Sequence, residues 1–383
     1  MISVNRTTIL VFLAFLVYFL PRVTSLGWDI TSYDCRYWRP RMWKFVAAIE
    51  EGNLKETYQK YHPGVTLMWL SGFAERAFDL AGEVLVGHDM KWLPRWYPLR
   101  HFVAKFPLVL VISILGAVCF YYIRKFANTK YALIFSSLLS LEPFFLGTSR
   151  FLHLSALTSM FMFTSFLLMY VYVREKHPFH FILSAVFLGL AVLTKMDGVL
   201  AGVASLILLF FSVFRSLEDL KSAKLWKFYV GRSVIYGLIA FLVFFALWPA
   251  MWFGPVEVIR KMIEEGIYGT AFSSTGAMML VPFRHLYYFE AFFLRSLPTT
   301  VVLVALFPLF FFTKREERFR SFMLSNLLFL FVNWFFLSIP GKTKDRYLVN
   351  FSPGLAALAA FSLYSLLEGL KRVPRRMVFG LVI

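Results

Sequence analysis

Two carboxylates stand close together in Trp28-Asp-Ile-Thr-Ser-Tyr-Asp-Cys-Arg36, a stretch with no helical pattern. A carboxylate that faces a partly desolvated cleft gains basicity and can act as a general base, so Asp29 and Asp34 are the first candidates for chemistry. The alternative is an ordinary pair of solvated acids neutralised by Arg36, Arg39 or Arg41. A second candidate is Tyr61-His62-Pro63-Gly64-Val65-Thr66, directly before an amphipathic run. Pro63 can pre-set the start of a helix whose free amides face an anion, and the His62 imidazole can bind phosphate or shuttle a proton. A purely structural histidine in a turn is the competing reading. Arg150-Phe-Leu-His153 offers two more cations at the head of an apolar run, unless Arg150 merely snorkels to an interface. In Gly341-Lys-Thr-Lys-Asp-Arg-Tyr347, Arg346 can grip phosphate oxygens bidentately, Lys344 can add a point charge, and Tyr347 lies beside them. General attraction to lipid headgroups would explain the same cations. Lys195 and Asp197 share a tight turn and can simply pair with each other.

The elements that must position these residues are membrane helices. Of 383 residues 59% are hydrophobic and 16% charged, with 46 Phe and a mean hydropathy of +0.67, a balance that a soluble core does not need. Apolar runs long enough to cross a hydrocarbon layer about 30 Å thick recur along the chain. They are apolar on every side, as in Phe241-Leu-Val-Phe-Phe-Ala-Leu-Trp248, which excludes the alternation of a barrel. The expected fold is therefore all-α and polytopic, with spans near 6–23, 102–124, 130–147, 150–173, 179–194, 197–214, 230–252, 295–313, 320–339 and 349–368, about 10 to 11 in all. Pro21-Arg22 offers no cleavage pattern, so the first apolar run reads as a retained span rather than a signal peptide. Met377–Ile383 is too short to cross, and the C-terminus reads as a possible truncation.

The net charge of +18 does not indicate nucleic acid, because the Lys and Arg residues fall in short clusters between apolar runs. Clusters such as Arg124-Lys125, Arg174 with Lys176, and Lys314-Arg315 alternate with poorer turns holding Arg150 alone or Lys195 alone. This bias puts the N-terminus in the cytoplasm. The Lys342-Lys344-Arg346 turn then falls outside, against the trend, and cations in the wrong place suggest an anionic ligand. Two outside connections are long, 23–101 and 253–294, and loops of that length usually carry function. In the first, Arg39–Glu51 and Val65–Leu85 have the spacing of interfacial helices, and Trp28, Trp38, Trp43, Trp69, Trp92 and Trp96 favour the headgroup level. The whole chain, 1–383, reads as a single membrane domain. Cys35 and Cys119 are too few for a disulfide framework or a thiolate metal site, and no dedicated metal cluster is visible.

In their order along the chain, several stretches resemble the C-type glycosyltransferases, in particular the branch of protein O-mannosyltransferases and aminoarabinose transferases. They are Tyr33-Asp34-Cys-Arg-Tyr37, Tyr61-His-Pro-Gly64, Leu141-Glu-Pro-Phe144, Arg150-Phe-Leu-His153, Gly189-Leu-Ala-Val-Leu-Thr-Lys195, Trp248-Pro-Ala-Met-Trp252 and Lys344-Asp-Arg-Tyr347. The resemblance implies inverting transfer of a sugar from a polyprenyl-phosphate donor to an acceptor hydroxyl at the extracytoplasmic face, by an integral membrane protein. It implies a catalytic role for Asp34; since Cys35 fills the place where the family often has a second acid, either Asp29 supplies that carboxylate or only one is needed. It implies donor-phosphate or acceptor contact for His62, while the charge of a leaving phosphate calls for Arg346 and Lys344, with Arg150, His153 and Tyr347 as further candidates for substrate binding. Ser155 stands where the family commonly has an acid after the histidine. No cofactor is expected, and divalent metal dependence is left open. Membrane lipid is the remaining expected partner. A transporter or flippase of a lipid-linked sugar is the rival function, and a scaffold without chemistry a third. The enzyme reading requires Asp34 and Arg346 to reach one anomeric centre, hence to lie well within about 15 Å of each other.

Overall fold

The computed structural model describes residues 5–29, 32–87, 96–271, 284–313, 317–339 and 344–370. Expectations placed on Trp92, Lys314-Arg315, Lys342 and Met377–Ile383 lie outside these residues. Every regular element among the described residues is helical. α1 (Arg6–Val23) leads into the first loop, which carries α2 (Cys35–Glu50) and a single 3-10 turn, Leu54–Thr57. Val65–Leu67, a π turn at Met68–Gly72 and Phe73–Val86 then run on without a break and are together called α3. These are the two amphipathic helices expected in the loop. The bundle continues with α4 (Tyr97–Phe126), α5 (Thr129–Leu141), α6 (Pro143–Ser149), α7 (Ser155–Glu175), α8 (Pro178–Thr194), α9 (Val199–Val213) and α10 (Ala223–Leu247). In the second long connection lie α11 (Pro255–Ala271) and α12 (Tyr287–Arg295), followed by α13 (Pro298–Ala305), α14 (Phe307–Thr313), α15 (Glu317–Ser338) and α16 (Ser352–Leu370).

Helices occupy all ten expected places. Among the described residues, six helices are long and apolar enough to cross a membrane on their own, or seven if α5 and α6 are one span bent by 65°. The bend has a local cause. Pro143 cannot continue the hydrogen bonding of α5, and Glu142 accepts instead from the Phe145 amide at 2.9 Å, starting α6 afresh. α8 and the region of α13 and α14 are apolar but shorter.

α7 is the axis of the bundle, buried along nearly its whole length. Several of its polar side chains find partners inside the protein, as the absence of water in a bilayer favours. Ser165 and Ser184 donate to each other's backbone carbonyls and both meet the Tyr236 hydroxyl, tying α7, α8 and α10 together. Large apolar residues such as Phe12, Phe211, Val234 and Phe312 are exposed on the periphery, where lipid is the solvent.

Several contacts fasten the first loop to this bundle. Gly64 has φ +63 and packs so closely on Trp38 that a Cβ there would lie 2.1 Å from the indole. Its amide donates to the Thr194 carbonyl at 3.0 Å while Thr66 and Thr194 hydroxyls meet at 2.7 Å, pinning the start of α3 to the end of α8. Trp248 is fully buried, donates to the Thr57 carbonyl and stacks on Tyr58. Finally, Glu75 of α3 is gripped by Arg39 of α2 at 3.0 Å and Arg100 of α4 at 3.3 Å, with Trp43 donating to it at 2.7 Å. Burial pushes the Glu75 carboxyl up, against the pull of these two cations. Arg39 thus serves loop architecture and does not neutralise Asp29 or Asp34.

Candidate active site

Asp34 stands at the N-terminus of α2 but makes no capping bond with its side chain. Its carboxylate turns away to Arg346, whose Nη1 donates to both oxygens at 2.8 Å. These residues are 312 positions apart in sequence and lie in direct contact, the juxtaposition that a base and a phosphate clamp require. Arg346 belongs to a 3-10 turn, Asp345–Asn350, held on both sides. Ser159 of α7 donates to the Val349 carbonyl at 2.7 Å, and Asp345 is clamped by Arg295 and by the Tyr287 hydroxyl. The turn is a rigid platform rather than a loose loop.

His153 approaches Asp34 from the segment before α7, with Nε2 3.5 Å from Oδ2. The Ser155 amide donates to His153 Nδ1 at 3.2 Å, so the proton of the neutral ring sits on Nε2 and faces the carboxylate. Burial pushes the imidazole down to about 4, past the opposing pull of Asp34. His153 is therefore neutral at pH 7, with Nε2 turned towards Asp34, and is not the cation expected. Burial alone would raise the Asp34 carboxyl, but its positive neighbours, among them Arg346 and Lys195, hold it below the usual carboxylate range.

Lys195 completes the site from the C-terminal end of α8. Its ammonium is almost fully buried, 2.7 Å from Asp197 and 4.1 Å from the centre of the Tyr347 ring. Burial lowers its basicity, opposed by Asp197. Asn350 donates to the same Asp197 oxygen at 2.8 Å. The simple Lys195–Asp197 pair read from the sequence does form, and it lies against the Arg346 platform. His62 packs at a tilt on Tyr61, with ring centres 4.2 Å apart, and reaches this corner through the charge of Asp197. Cys35 is buried in the core with its thiol pushed up by burial, so it offers no substitute for a second acid.

Asp29, expected beside Asp34, is held elsewhere. Lys105 of α4 reaches one oxygen at 2.7 Å and Arg150 the other at 3.4 Å, while Arg150 Nη1 also donates to the Pro21 carbonyl at 2.8 Å. The Arg150-Phe-Leu-His153 segment is therefore split between two clusters, because the irregular residues between α6 and α7 turn its ends apart. Lys344 begins the platform through its backbone, its carbonyl accepting from the Tyr347 amide, and Arg346 is the cation that meets Asp34. Among the described residues, no three of His, Cys, Asp and Glu converge as a metal site.

Lys195, Asp197, Asn350 and Tyr61 enter the site without having been singled out for it. The available signals were the Gly189–Lys195 and Tyr61–Gly64 stretches, both part of the family resemblance.

A model of the dolichyl-phosphate-mannose-protein mannosyltransferase family matches residues 100–249. Among solved structures, the chain is similar to ArnT from Cupriavidus metallidurans bound to undecaprenyl phosphate, with TM-score 0.62 and 16% identity over 96% of this chain. The apo state of the same protein gives TM-score 0.60 and 16% identity over 97% of this chain. In both cases the chain spans 60% of that protein's length. No curated protein sequence matches. The resemblance to this branch of C-type glycosyltransferases thus holds for the polytopic fold as a whole and for the sequence of 100–249.

Proposed function

We propose that this chain is a membrane glycosyltransferase that moves a sugar from a polyprenyl-phosphate donor to an acceptor hydroxyl, with inversion, at the extracytoplasmic face. The observation that carries this reading is the contact of Asp34 with Arg346 beside the buried Lys195, a base and two cations drawn from three distant parts of the chain. In the reaction, the Asp34 carboxylate takes the proton of the acceptor hydroxyl as its oxygen attacks the anomeric carbon. The bond from that carbon to the phosphate oxygen breaks, and the electron pair leaves with the polyprenyl phosphate. The phosphate gains negative charge in that step, and Arg346 with Lys195 stabilises it. Direct displacement by the acceptor gives inversion. Asp34 and His153 supply orientation at one end of the reacting line and the cations supply charge at the other.

The name of the matching family and the undecaprenyl phosphate bound in the similar solved structure support the donor class, a sugar on a polyprenyl phosphate. The test is incubation of purified protein with a panel of polyprenyl-phosphate sugars and hydroxyl-bearing acceptors, read by mass spectrometry. Glycosylated acceptor should appear in step with released polyprenyl phosphate. Movement of donor across vesicles with no transferred sugar would instead establish a flippase.

A further inference from the structure

The contact that defines the site also blocks it. One nitrogen of Arg346, Nη1, spans both oxygens of Asp34, while Nε is buried without a hydrogen-bond partner among the described residues. The carboxylate thus engages the guanidinium through one nitrogen and does not occupy the parallel fork that Nε opens. That fork is the geometry in which guanidinium binds phosphate most strongly. A buried donor without an acceptor is also costly to leave in place, which points to an anionic ligand that completes it. We propose, resting on the glycosyltransferase reading, that Asp34 and the donor phosphate compete for Arg346, so that the carboxylate is an internal stand-in for phosphate and donor binding releases the base.

The arrangement around Asp34 makes release productive. Once Arg346 turns its fork to phosphate, the carboxylate keeps the Nε2–H of His153 as an orienting partner but loses its closest cation. A half-buried carboxylate without that cation is a stronger base, and it becomes one when an anomeric centre has arrived. In the absence of donor the same carboxylate is tied up, which leaves no reactive base for stray hydroxyls or water. Lys195 does not compete in this way, because Asp197, itself held by Asn350, keeps it in place against Tyr347. The competition makes an unusual demand on mutants. Removing the negative charge of the base should weaken turnover and strengthen donor binding together.

The probe is undecaprenyl phosphate, titrated into purified protein in nanodiscs, with wild type, Asp34→Asn, Arg346→Gln and the double variant compared. Asp34→Asn should bind roughly fivefold more tightly than wild type, the size of a partly exposed ion pair converted to affinity. Arg346→Gln should cost more affinity in the Asp34→Asn background than in wild type, because only there is the guanidinium free beforehand. Equal or weaker binding by a folded Asp34→Asn protein overturns the proposal. A cryo-EM structure of wild type with undecaprenyl phosphate tests it without any variant. Separation of Asp34 from Arg346 supports exchange, and a pair kept at its present distance refutes it. Tighter binding by Asp34→Asn in a protein that transfers no sugar would leave the competition standing and remove the enzymatic reading. Transfer that depends on Asp34, with no gain in binding, would do the reverse.

Discussion

Asp29 and Asp34 come from one short loop, and both end against an arginine, yet their surroundings differ in kind. Asp29 faces Lys105, whose side chain is 2% exposed, and Arg150, which is itself anchored to the carbonyl of Pro21. That cluster closes the seam between α1, α4 and the start of α7, with each partner already committed. Asp34 and Arg346 are each about 30% exposed, bound to one another by a single nitrogen, and flanked by a neutral histidine. The same residue types thus make a structural lock in one place and an open, exchangeable pair in the other. What distinguishes them is access and spare donor capacity, not sequence spacing.

The comparison can be broken by substitution. Asp34→Asn should reduce sugar transfer by about a hundred- to ten-thousandfold in steady-state assays, the usual worth of a positioned base. Arg346→Lys, which keeps charge and loses the fork, should cost on the order of a hundredfold in kcat, as expected for one preorganised charge partner. Asp29→Asn should behave differently. It leaves Lys105 buried without its anion, and should lower stability by about 3 kcal/mol in denaturation experiments while transfer per folded molecule falls less than threefold. A hundredfold loss of turnover in folded Asp29→Asn protein would erase the distinction between the two clusters.

Two smaller effects sharpen the account. Gly64→Ala forces a Cβ into Trp38 at a positive φ and should cost about 1–3 kcal/mol, read as a lowered Tm, with KM rising because the His62 turn shifts. His153 gives a pH signature. Its folded imidazole titrates near 4 and the unfolded one near 6.5, so between these values the unfolded chain binds more protons. Stability should therefore fall as pH drops from 6.5 towards 4, be unaffected by this group above 6.5, and lose that part of its slope in His153→Gln.

Much of the fold was legible because apolar runs of spanning length have few alternatives in a bilayer. The helices of the first loop were legible through their amphipathic spacing. The break between α5 and α6 was not foreseen, although Glu142-Pro143 states it locally, since an apolar run across the proline looks continuous. At the site, Arg346 was legible as a cation on the wrong side of the charge bias, and the requirement that it meet Asp34 followed from the chemistry. The assignment of Asp29 and Arg150 to one cluster and His153 to another was not legible, because side-chain direction in an irregular segment has no period to read. His153 looked cationic for the same reason, since only burial in three dimensions makes it neutral. Lys195 looked self-satisfied with Asp197, and nothing in the chain order tells that the pair abuts Tyr347.

The most direct test of which cluster is the reacting centre is the position of a bound lipid phosphate. In a cryo-EM reconstruction with undecaprenyl phosphate, the phosphorus should lie within about 5 Å of the Arg346 guanidinium, on the side of Lys195, a separation compatible with direct charge-assisted hydrogen bonds. A phosphorus placed between Arg150 and Lys105, with Asp29 displaced and the Asp34–Arg346 pair undisturbed, would contradict the account.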